Sequence, residues 1–237
     1  MKTPLMSSED LAAIAAAVRA AEVRTAGEIY CIIAEESSDY HGTPLAWAAG
    51  VALLAPALLL LAGFHVSAPD LGAFGGWTAD QVEDVGEASL RAALVGTLVL
   101  QAALFVVTLL ITSLQPVRRA LTPKGMKRER VRARAEHQFI AKNLNATRDR
   151  TGVLIYVSFA ERMAELIADE TIHARVADDT WKNAMLALTE GLKRGQPAAG
   201  FIAAISQCAD VLAEHFPPRP KDNPNELPDA VVILPGG

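Results

Sequence analysis

The sequence predicts an α+β unit interrupted by a two-helix transmembrane hairpin. Three observations predict it. Two long stretches carry no formal charge. A strand-like run stands alone before the first stretch, and its only plausible partner stands after the second. The whole chain is apolar for its size: 51% of its 237 residues are hydrophobic and 21% charged, and mean hydropathy is +0.23. That content excludes disorder for most of the chain. The formal net charge of −5 excludes a globally basic nucleic-acid binder. Cys31 and Cys208 form no CxxC pair and no disulfide framework, and read as two buried thiols in a reducing compartment.

The elements follow in chain order. Ser7 with Asp10 makes a capping-box-like start, and Leu11, Ile14, Val18 and Ala21 line one helical stripe. Gly27 follows the helix, and Glu28–Ala34 (EIYCIIA) reads as a buried strand. Residues 1–43 thus hold a helix and one strand.

No charge occurs between Asp39 and Asp70, or between Arg91 and Arg118. Each gap holds a segment of about 20 apolar residues, enough for a helix to cross a bilayer core. The predicted spans are 44–64 and 92–114, joined by a loop over 65–91. Pro56 lies inside the first span, where proline is tolerated. Some 40 residues precede that span and the start is not basic, so it does not read as a signal peptide. Trp47 suits an interfacial position, Trp77 sits in the loop, and Gln101 could hydrogen-bond across the hairpin.

Orientation follows from charge. The loop carries Asp70, Asp80, Glu83, Asp84 and Glu87 against Arg91. After the second span come Arg118, Arg119, Lys124, Lys127, Arg128, Arg130, Arg132 and Arg134. Lys and Arg mark the cytoplasmic side, which puts both termini in the cytoplasm of a bacterial inner-membrane, multi-pass protein. The same cluster could set topology only, or bind anionic lipid headgroups. Nucleic acid is not expected, because no stacking aromatics are interleaved.

Residues 115–216 read as the rest of the unit. Thr122-Pro123 opens a helix running to about Leu144. Gly152–Ser158 and Met163–Ala168 are strands joined by a tight turn at Phe159-Ala160-Glu161. His173–Arg194 is a helix with Ala177, Trp181, Ala184, Leu188 and Leu192 on one stripe. Gly195-Gln196-Pro197 breaks it, and a last helix runs to His215. The tail, 217–237, holds six of the thirteen prolines and is extended, with a short strand at Ala230–Leu234 at most. One strand cannot form a domain. Glu28–Ala34 must therefore pair with Gly152–Ser158 across the inserted hairpin.

Several stretches together resemble the TPM domain family, in a bacterial membrane subgroup with an inserted transmembrane hairpin. They are Thr25-Ala26-Gly27-Glu28-Ile29, Thr151-Gly152-Val153-Leu154-Ile155, Glu165-Leu166-Ile167-Ala168-Asp169, the Trp181 helix, the Phe201–Leu212 helix, and the tail pieces His215–Pro218 and Asn225–Asp229. The resemblance implies a small βαβ-type sandwich, a phosphatase activity, and binding of Ca²⁺ or Mg²⁺ in some members. This chain departs from the better-known, exported members: its anchor lies inside the domain, and Arg148, Asp149 and Arg150 replace the usual acidic lead-in to the second strand.

No phosphate loop, zinc-protease motif or nucleophile elbow is present in the sequence. Acidic residues remain. Asp169 ends a strand, Glu161 sits in the hairpin turn, and Asp178 and Asp179 follow in the next helix. Carboxylates converging there could hold Ca²⁺ or Mg²⁺ and a reactive water. A solvated acidic rim is the alternative. The expected role is a partner-binding scaffold or assembly factor beside a membrane protein. Metal-dependent phosphatase and anionic-lipid-sensing module are the alternatives.

Overall fold

The computed structural model describes residues 5–62, 80–177, 180–219 and 225–236. The chain divides into two compact units. One combines the residues up to Asp39 with those from Lys124 onward, and the other is Tyr40–Pro123.

The first unit is built on a four-stranded mixed sheet. Its helices and strands are α1 (Ser8–Glu22), β1 (Glu28–Ala34), α5 (Lys124–Ala141), β2 (Gly152–Ser158), β3 (Met163–Ala168), α6 (Glu170–His173), α7 (Lys182–Lys193), α8 (Pro197–His215) and β4 (Val232–Leu234). The strand order is β3-β2-β1-β4. As expected, β1 pairs with β2, in parallel, from Glu28 against Gly152 to Ala34 against Ser158. β3 returns antiparallel to β2. The short tail strand exists and lies parallel to β1.

Every residue of β1 and β2 is buried, because helices cover both faces of the sheet. Alternate side chains point to opposite faces. Ile29, Cys31, Ile33, Val153, Ile155 and Val157 pack with α1, α7 and α8. Tyr30, Ile32, Ala34, Leu154 and Tyr156 pack with Val131, Ala135 and Phe139 of α5. A sheet covered twice reads as continuous apolar runs, which is how both strands appear in the sequence.

The two Thr-Gly motifs knit the strand starts together. Thr25 Oγ1 donates to the Phe216 carbonyl at 2.7 Å and accepts from Gly27 N at 3.0 Å. Thr151 Oγ1 donates to the Ala26 carbonyl at 3.0 Å. A Cβ on Gly152 would sit 2.4 Å from the Leu144 carbonyl oxygen, so no larger residue fits there.

Element boundaries differ from the sequence expectation in four places. The Trp181 helix starts at Lys182, not His173, because Asp169 caps a separate short helix, α6, by accepting from Thr171 N at 3.0 Å. α5 ends at Ala141, and Asn143 turns left-handed at φ 57°. Thr122 closes a short helix before α5 rather than opening α5 itself. Residues 80–91, expected in a loop, are helical. Apolarity marks where lipid could begin, and a helix runs on past that limit.

The second unit holds α2 (Gly42–Leu61), α3 (Asp80–Ser113) and α4 (Gln115–Leu121). α2 passes through Pro56 and packs along α3. Ala48 and Ala52 are buried, and such small residues let helix backbones approach. By length and composition, Gly42–Leu59 and Leu94–Ser113 could each cross a membrane. Trp77 lies outside the described residues.

Candidate functional site

Of the predicted acidic residues, Glu161 and Asp169 do not converge. β2 and β3 form one hairpin. Glu161 lies in its turn and Asp169 just past its open end. Six residue steps separate the ends of β2, about 20 Å. A single ion cannot bridge that gap.

Each carboxylate already has structural work. Glu161 accepts from Ser37 N at 3.2 Å and from the Ser158 hydroxyl. Asp169, 2% exposed, caps α6 and faces Arg150 Nε at 3.5 Å. Asp178 and Asp179 lie outside the described residues. No group of three or more His, Cys, Asp or Glu suited to a metal occurs among the described residues.

The basic cluster divides between the two units. Arg118 is buried on α4, and Arg119 is half-buried. Lys124, Arg128, Arg130, Arg132 and Arg134 are exposed on α5, with Lys127 half-buried. Arg132 donates to Glu136 at 2.9 Å. Val131, Ala135 and Phe139 hold the opposite stripe of α5 on the sheet.

A carboxyl cluster that sequence reasoning missed sits at the start of β1. Glu22 and Glu28 are both buried. Glu22 accepts from Ile29 N at 3.2 Å and is hydrogen-bonded to Asp229. Two carboxyls share a hydrogen bond only if one is protonated. Burial accordingly pushes Glu22 up to about 8, with Glu28 and Asp229 adding repulsion. Burial also raises Glu28, whose Oε1 accepts from Glu226 N at 3.3 Å. Arg19 lies 3.6 Å from Asp229. These residues come from α1, β1 and a tail some 200 positions away, so no local motif could signal them.

The second unpredicted feature is a groove of about 750 Å³ along α7 and α8. The two helices are locked where they meet. A Cβ on Gly191 would lie 2.4 Å from Gly200 Cα, so the backbones touch there. Ala184, Ala187 and Val211 line the groove, and Trp181 and Gln207 supply polar atoms. The Trp181 indole nitrogen and the Gln207 Oε1 are both buried without a hydrogen-bond partner among the described residues. Buried polar groups are nearly always paired, so two orphans in one groove are informative. At the rim, Asp210 is bonded to Arg24 at 2.5 Å and Glu190 to Arg194 at 2.8 Å. Trp181 had a sequence signal as the stripe aromatic of its helix. Gln207 had none.

Taken together, these features define a helix-covered mixed sheet carrying an interhelical groove, with an apolar helical hairpin inserted between two paired strands. That fold has a counterpart among solved structures. The chain is similar to the BA42 protein of the psychrophilic bacterium Bizionia argentinensis, known from an NMR structure. The TM-score is 0.55 at 18% identity, over 98% of each chain. At that identity the likeness concerns the fold alone. No family model and no curated protein matches the sequence.

Proposed function

We propose that this is a membrane-anchored binding protein: α2 and α3 cross the bilayer, and the α/β unit presents a partner-binding surface on the cytoplasmic side. One observation carries the reading. Leu53, Leu98 and Leu110 are 67%, 64% and 66% exposed, and within Leu94–Ser113 Thr112 alone is buried. A core helix of a soluble protein hides such side chains, and water penalises an apolar surface of that extent. Lipid is the solvent that suits it. β1 and β2 flank the hairpin and pair directly. Both ends of the hairpin therefore belong on one side, and the Lys/Arg-rich flank favours the cytoplasm.

The TPM-type resemblance accords with this fold. For the phosphatase reading, Glu161 and Asp169 stand at opposite ends of a hairpin and cannot share one ion, while Asp178 and Asp179 lie outside the described residues. The exposed basic residues of α5, which starts ten positions after Leu114, favour a second reading, contact with anionic lipid. Reversing Arg128, Arg130 and Arg134 to Glu should then release binding to phosphatidylglycerol vesicles. Undiminished binding would remove the lipid reading.

The anchor is tested by alkaline carbonate extraction and thiol labelling. Both native cysteines are buried, and burial raises their thiols, Cys208 to about 12. They should stay silent towards a membrane-impermeant maleimide. Ala73→Cys should label on intact cells, and Arg130→Cys only after permeabilisation. Release of the protein by carbonate would overturn the anchor. Reversed labelling would overturn the orientation.

A further inference from the structure

We propose that the groove along α7 and α8 binds an extended peptide segment of a partner, holding one main-chain amide between the Trp181 indole and the Gln207 side chain. The inference rests on the partner-binding reading and gives that reading a site. A buried indole N–H needs an acceptor, and the Gln207 oxygen needs a donor. Neither has a partner among the described residues. A peptide group offers one carbonyl and one N–H, which meets both needs with a single neutral unit.

Dimensions agree with that occupant. From the N-cap Trp181 to Glu190, the lining residues along α7 cover nine steps of about 1.5 Å, about 14 Å. An extended chain covers that length in about four to five residues. The volume of about 750 Å³ falls in the range of roughly 300–1,000 Å³ that formed binding sites occupy. Ala184, Ala187 and Val211 leave room for small aliphatic side chains. Charge selects against a strongly cationic ligand. Asp210 and Glu190 are already matched by Arg24 and Arg194.

The test uses the full-length protein in detergent micelles. Trp47→Phe and Trp77→Phe leave Trp181 as the only indole. The probe is the blocked tetrapeptide acetyl-Ala-Ala-Val-Ala-amide, followed by the ¹⁵N indole resonance. A saturable downfield shift of the indole proton is expected as it gains an acceptor. Gln207→Leu should weaken the peptide about tenfold, the cost of stranding one hydrogen-bonding group. Ala187→Leu, which fills the groove away from the core, should abolish the shift while the circular dichroism spectrum stays unchanged. No saturable shift, or a shift that survives both substitutions, would overturn the site. An equal response to N-methylacetamide would overturn the peptide and leave a lone-amide pocket.

Photocrosslinking in the native membrane separates this site from the broader reading. Adducts from p-benzoylphenylalanine at Leu186, lost in Gln207→Leu, agree with the groove. Adducts only from the same probe at Arg130 refute the groove and keep the partner. Adducts from neither position refute both.

Discussion

The α/β unit and the inserted hairpin spend apolar residues in opposite ways. In the first, Ile29, Ile33, Val153, Leu188 and Phe201 are sealed inside. In the second, Leu53, Leu98 and Leu110 point outward from a helix pair in which small residues such as Ala48 and Ala52 are buried. The same residue types stabilise one unit by leaving water and stand exposed on the surface of the other. Apolar content by itself therefore does not distinguish a sealed core from a hairpin with outward apolar faces. The direction of the side chains does.

The largest effect should come from the sealed core. Phe201→Ala removes a fully buried ring and should cost about 3–5 kcal/mol, read from urea unfolding of the micelle-bound protein. Val106→Arg sharpens the contrast. In a bilayer, an arginine near a helix centre costs about 2.5–3.5 kcal/mol on insertion scales, so carbonate-resistant protein should fall. In a hairpin bathed by water, the same change would leave extraction unaltered and improve solubility.

The carboxyl cluster makes the α/β unit sensitive to pH. Glu22 holds its proton to about pH 8 when folded, while an unfolded glutamate releases it near about pH 4.3. Between those values the folded state binds the extra proton, so stability falls as pH rises. From pH 6 to 8 the loss from this group should be about 2 kcal/mol, with little further change above. Glu22→Gln stays neutral and keeps an acceptor for Ile29 N. Unfolding midpoints should then lose that part of the pH slope. An unchanged slope would show that Glu22 is not the protonated group.

The smallest effect concerns Asp169. Asp169→Ala removes the α6 cap and should cost about 1 kcal/mol. Because its carboxylate already serves Thr171 N and Arg150, the drop in melting temperature should be the same with and without Ca²⁺. A drop that appears only with Ca²⁺ would restore a metal role to this residue.

Much of the fold was legible from local pattern. β1 and β2 fell within their expected bounds, since apolar runs rich in β-branched residues bounded by Gly and turn residues admit few alternatives, and β3 followed from the tight turn after β2. The pairing of β1 with β2 followed from the isolation of β1. The helix limits were less legible. Two short polar devices, the Asp169 cap and the left-handed Asn143, overrode a longer apolar periodicity. Glu161 and Asp169 are eight positions apart in sequence, and the β2–β3 hairpin places them at opposite ends. Glu22, Glu28 and Asp229 were passed over for the converse reason. They meet only because the tail returns along β1.

By itself, the sequence determined the class of the protein: an α+β unit, an apolar hairpin set between two strands, and a basic flank behind it. Those properties are one-dimensional, because period, length and charge survive without knowledge of any contact. Tertiary structure alone decided which groups stand together. Gly191 against Gly200 joins α7 to α8 along the groove, Trp181 and Gln207 are stranded within that groove, and the buried Glu22 and Glu28 meet the tail. Each depends on residues from separate elements brought within a few ångströms, where burial alters what a polar group costs and what it can bind.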